Sequence, residues 1–165
     1  MLQTPSFTVS GLSRVDEFAY ERSLALEMYE KVFRRGQLQR MANLVRGGSR
    51  RLLDLQQTIK QLTTMCPNET HLQHYEGVQE VPVEQIKGSE GRVNDFDIDF
   101  NPVRNHVELR WVNIAIAMLR GVPLPPVELV RVKDVYYVRD GHHRISVARA
   151  MKQHSIDAIV TVQAD

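Results

Sequence analysis

The chain has one cysteine, Cys66, among 165 residues, so no internal disulfide framework holds its fold, and a reducing compartment is the expectation. Aromatic residues make up 7% of it with a single tryptophan, too few for the stacking platforms that read single-stranded RNA. An excess of one charge is also missing. Lysine and arginine number 21 against 20 aspartate and glutamate, a formal +1, so any nucleic-acid contact has to come from a local patch. No stretch approaches the roughly 18 apolar residues of a membrane span. The opening MLQTPSFTVSG lacks the basic start and apolar run of a signal peptide. A soluble cytoplasmic protein with no membrane partner is expected.

What is present is the composition of an ordinary globular protein, 42% hydrophobic and 25% charged, at a length suited to one compact domain plus an extension. SRVDEFAYERSLALEMYEKVFRR, residues 13–35, opens on Ser13 with acidic residues in its first turn. It repeats Val15, Phe18, Ala19, Leu26, Tyr29 and Phe33 at helical spacing. Gly36 after the basic last turn reads as the stop. A second helix is predicted over residues 38–45, and a third from Ser49 through RRLLDLQQTIKQL. Arg34, Arg35, Arg40, Arg46, Arg50 and Arg51 crowd the helix junctions, as a patch for nucleic acid or an acidic partner, or as a solvated face balanced by nearby acids.

CPNETHLQHYEGVQ, residues 66–79, turns polar and divides a helical N-terminal extension, residues 1–76, from a main domain, residues 77–165. His71 and His74 lack further ligands at a recognised metal spacing and read as surface residues. After them strands and helices interleave. QEVPVEQI reads as a strand, GSEGRVNDFDIDF as a polar loop, HVELRWVNIAIAMLRG as a helix ending at Gly121, and PLPPVELVRV and VYYVRD as strands about a KD turn. GHHRISVARAMK is the next helix and DAIVTVQ the last strand, which makes an α+β fold: a small mixed α/β domain preceded by helices. Trp111 reads as a core anchor, and Arg92 as a solvent-exposed loop residue.

The chemistry concentrates in VRDGHHRISVARAM, residues 138–151. A strand delivers Asp140 and Gly141 to a turn, and the helix behind it offers free amides at His142, His143 and Arg144, where the helix dipole favours an anion. Gly141 lets the backbone approach a phosphate, Arg144 supplies a planar charged fork, and the histidines donate hydrogen bonds or relay a proton. Asp140 either caps the helix, binds Mg²⁺ or accepts a hydroxyl hydrogen bond. Cationic groups at the positive end of a helix, with no acid in its first turn, themselves call for an anion.

From about residue 81 to 162 the sequence resembles the ParB and sulfiredoxin superfamily, most specifically in PLPPVELVRVKDVYYV followed by DGHHRISVARAM. The resemblance implies binding of a nucleotide (ATP, ADP or CTP) with Mg²⁺ at Gly141, His142, His143 and Arg144. ParB proteins, CTP-hydrolysing DNA clamps, carry Gly-Glu-Arg-Arg-x-Arg-Ala; Gly141 and Arg144 match, whereas His142, His143 and Ser146 replace the other three. No helix-turn-helix follows before Asp165. Sulfiredoxins use Gly-Cys-His-Arg, and His142 in the cysteine position removes their thiol chemistry. Free serine kinase-type members carry Asp-Gly-His-His-Arg, and all five residues match. That branch implies phosphotransfer with Asp140 and His143 at the reacting groups and Glu84 as base, Asp95 and Asp97 being substitutes. A DNA-associated regulator, a homodimer through the N-terminal helices, and an interaction protein with a vacant pocket are the other readings.

Overall fold

A computed structural model describes residues 14–47, 51–65 and 73–163. Ser13, Ser49, Arg50, Cys66 and His71 lie outside them. The described chain is α+β: four α-helices and a mixed six-stranded sheet. Helix α1 (Arg14–Arg46) is followed by β1 (Leu53–Asp54), α2 (Leu55–Met65), β2 (Gln73–Pro82) and β3 (Ile86–Ser89). Then come α3 (Glu108–Leu119), β4 (Val127–Val132), β5 (Val135–Asp140), α4 (His142–Ala150) and β6 (Ser155–Gln163). The strand order is β1-β3-β5-β4-β6-β2. The β1–β3, β3–β5 and β4–β6 pairs are parallel, and the β4–β5 and β2–β6 pairs antiparallel. Thus β1 and the start of β2 join the sheet from before residue 77.

Strand alternation sorts the core into layers. Val127 and Leu129 of β4, with Tyr136 and Val138 of β5, face Ile145 and Ala148 of α4. Val130, Val132 and Tyr137 point the other way onto Leu55, Ile59 and Leu62 of α2. Tyr137 donates to Thr58 Oγ1 at 3.1 Å, which fixes α2 on that face. Outside α4, helices α1 and α3 close a third cluster around Trp111, fully buried as its sequence context predicts, with its indole N–H donating to Ser146 Oγ at 2.8 Å.

Three readings of the helical region change. Gly36 does not stop a helix: α1 runs on through residues 38–45 in one piece. Gly36 instead lies against Pro102, whose carbonyl oxygen would stand 2.4 Å from a Cβ placed there, so only glycine permits this contact. The buried stripe of α1 is Ala25, Tyr29 and Val32, whereas Phe18 is exposed with Arg120 over its ring at 5.2 Å. Helix α2 starts at Leu55 because Asp54 Oδ1 accepts the amides of Gln56 and Gln57, at 2.9 and 3.2 Å, as an N-cap. The segment read as a polar loop buries Phe96 and Phe100 in the main core, around a turn whose amides bond Asp97.

Candidate phosphate site at the start of helix α4

Parallel pairing of β3 with β5 brings their C-terminal ends to one edge of the sheet, with Ser89 beside Val138. The loops that leave them therefore meet. From β5 the chain passes Asp140 to Gly141, which adopts φ 98°, a left-handed conformation open to glycine, and becomes the N-cap of α4. A Cβ there would stand 2.5 Å from Val127 Cγ1. The first intrahelical bond runs from Ile145 N to Gly141 O, at 3.0 Å, so the amides of His142, His143 and Arg144 precede the helical ladder.

His142 and His143 are buried, and both imidazoles are held neutral, their pKa values lowered from 6.5 to about 4. Desolvation is the main cause for each; Arg92 and His143 add to it at His142, and Arg110 and Arg92 at His143. His142 Nε2 shares a 2.7 Å hydrogen bond with Ser89 Oγ, which also accepts the Arg92 amide at 3.1 Å. Phe96 stacks on His142 at 6.1 Å and meets His143 edge-on at 5.5 Å. Asp95 is paired with Arg92 at 3.4 Å and lies 3.7 Å from His106.

Neutral histidines alter one step of the sequence argument: the positive end of α4 is less crowded with cations than the residue names imply. Positive charge comes instead from Arg92, which the sequence placed in an exposed loop, and from Arg110, for which it gave no role; Asp95 and Asp140 act against them. The parallel β3–β5 pairing would have signalled Arg92, since it puts the loop after Ser89 next to the turn; Arg110 comes from α3, which no local pattern places there.

Asp140 does not cap α4; no side-chain cap is made there, and its Oδ2 accepts from Arg144 Nη2 at 2.6 Å. Arg144 Nη1 donates to the carbonyls of Pro125 and Pro126, so this fork braces the entry to β4. Glu84 is not brought to the turn. It is exposed in a single 3-10 turn, Val83–Gln85, and shares a cleft with Arg149 and His154. Arg149, in the last turn of α4, holds that segment through the carbonyls of Val83 and Ile86 at 2.9 and 2.8 Å. Seven residues of helix separate Arg149 from His142, about 10 Å. Asp97 is likewise committed, its carboxylate accepting from Asp99 N, Asn101 N and Asn101 Nδ2.

Among the described residues no three His, Cys, Asp or Glu side chains gather to hold a metal ion, and no helix is long and apolar enough to cross a membrane. Asp140, tied to Arg144, does not by itself make a Mg²⁺ site.

No protein-family model and no curated protein matches the chain. Among solved structures, sulfiredoxin from Arabidopsis thaliana is similar at 17% identity and a TM-score of 0.37, over 50% of this chain and 82% of that one. A likeness of that degree bears on neither activity nor partners.

Proposed function

We propose that this is a ParB/sulfiredoxin-like protein that binds the phosphates of a nucleotide at the 140–144 turn. The observation that carries the reading is the coincidence of three amides outside the helical ladder with Arg92 and Arg110, close enough to depress the histidine pKa values. An anion there accepts hydrogen bonds from the backbone and offsets both the guanidinium charge and the positive helix end. Each neutral imidazole carries one N–H donor, and at His142 the Nε2 atom is already shared with Ser89. Arg144 contributes by keeping the turn in shape, and Mg²⁺ enters as the counter-ion of the nucleotide.

The test is a thermal-shift screen of ATP, ADP, CTP and GTP with Mg²⁺, repeated on Arg92→Ala and Arg110→Ala. At a hundredfold excess over Kd a true ligand stabilises by about 2.7 kcal/mol, and the variants lose that gain. No stabilisation by any of the four would overturn the reading and leave an interaction protein with a vacant pocket. Turnover with free serine would add the phosphotransferase branch, and Glu84→Gln would then test the base assigned to it. Binding of duplex DNA that weakens steeply with salt would instead favour the DNA-associated reading.

A further inference from the structure

A cleft of about 120 Å³ lies between the second half of α1 and the 93–104 segment, lined by Arg40, Arg51 and Arg104 with Asn43, Asn94 and Asp97. We infer that Arg40, Arg51 and Arg104 form a second anion site that receives a single phosphate group. It is independent of the reading given to the 140–144 turn.

Three arginines converge on the cleft, and among the described residues none of them is in an ion pair. The acid that lines it does not neutralise them. Asp97 is buried and spends its oxygens on Asp99 and Asn101; burial is the largest influence on its pKa, which is raised, and the arginine charge coupled to it is that of Arg149, outside the cleft lining. Three like charges around so small a space repel one another, and a bound anion turns that repulsion into attraction. Guanidinium forks favour an anion with several oxygens, which phosphate supplies. The volume is well below the roughly 300 Å³ at which pockets begin to enclose a whole small molecule, so one phosphate group fits and a nucleoside does not.

The walls are held in register. Gly36 closes on Pro102, and Gln37 Nε2 donates to Val103 O at 3.0 Å. Arg40 follows one helical turn after Gly36, and Arg104 is the residue after Val103, so the same contact brings both arginines to the cleft. Phe96, which lines the cleft, also packs on His142 and His143. The phosphate has two chemical sources, a free phosphate or the backbone of a nucleic acid.

The experiment follows the arginine Nε–Hε NMR signals of the full chain during titration with inorganic phosphate, then with a short single-stranded oligonucleotide. A saturable shift of the Arg40 and Arg104 signals is expected, persisting in Arg92→Ala, which separates this site from the turn. Arg40→Ala and Arg104→Ala, both exposed positions, should each weaken the interaction about tenfold, the loss of one charge-assisted contact. Gly36→Ala keeps every charge and should weaken it by separating the walls; if it fails to fold, the two arginine variants still decide. Saturation by the oligonucleotide, with displacement of phosphate, supports a backbone source, and saturation by phosphate alone a free one. The proposal is overturned if neither probe gives a saturable shift, or if affinity is unchanged in both arginine variants.

Discussion

Ser89 Oγ and His142 Nε2 lie 2.7 Å apart across 53 positions of sequence, joining the end of β3 to the first turn of α4. Both residues are buried, so neither replaces this partner with bulk water. Ser89→Ala leaves an imidazole nitrogen and the Arg92 amide without this hydroxyl, at a cost of about 1–3 kcal/mol. Urea denaturation should show the lower midpoint with an unchanged slope. A midpoint equal to that of the parent chain would remove the bond from the account.

Acid should weaken the fold in a defined window. His142 and His143 hold their protons less tightly in the folded chain, with pKa values of about 4 against an ordinary 6.5. Between those values the unfolded chain binds more protons, so stability is present above pH 6.5 and falls as pH drops toward 4. Each histidine contributes a slope of up to about 1.4 kcal/mol per pH unit there. Denaturation midpoints measured across that range should show the slope, and replacing either histidine with glutamine should reduce it.

Arg144→Ala should cost about 2 kcal/mol, because the Pro125 and Pro126 carbonyls lose their donor and Asp140 its partner. Arg144→Lys should recover only part of this, since an ammonium cannot span the same acceptors as the planar fork. Equal stability of lysine and arginine in thermal unfolding would mean that charge, rather than the fork, holds the turn.

Gly36→Ala reverses the usual helix trend. Alanine in a helix interior is favoured over glycine by about 1 kcal/mol. Here its Cβ would meet the Pro102 carbonyl oxygen at 2.4 Å, and backbone on both sides must shift. A net loss of stability is expected in thermal unfolding, where a gain would show that the contact between α1 and the 93–104 segment gives way easily.

Local pattern made the site's backbone legible: the β-branched and aromatic run VYYV, then a glycine, then helical spacing, became β5, the left-handed Gly141 and α4. What the pattern could not carry was long-range pairing. Ser89 and Arg92 reach the turn because β3 runs parallel to β5, and Glu84 misses it because Arg149 pins its segment to the far end of α4. Gly36 looked like a helix end because glycine after a basic turn commonly marks one; its missing side chain is used sideways, against Pro102. Phe96 and Phe100 looked like parts of a polar loop because their acidic neighbours hid the turn that buries them.

The most direct measurement of the central claim is the ionisation of His142 and His143, followed by NMR with and without a saturating nucleotide. A phosphate bound at the 140–144 turn offsets the Arg92 and Arg110 charges that help hold these imidazoles neutral. Both pKa values should therefore rise from about 4 on binding, and affinity should increase as the pH is lowered. Histidine signals and pKa values that stay fixed while the nucleotide saturates the protein would contradict the account.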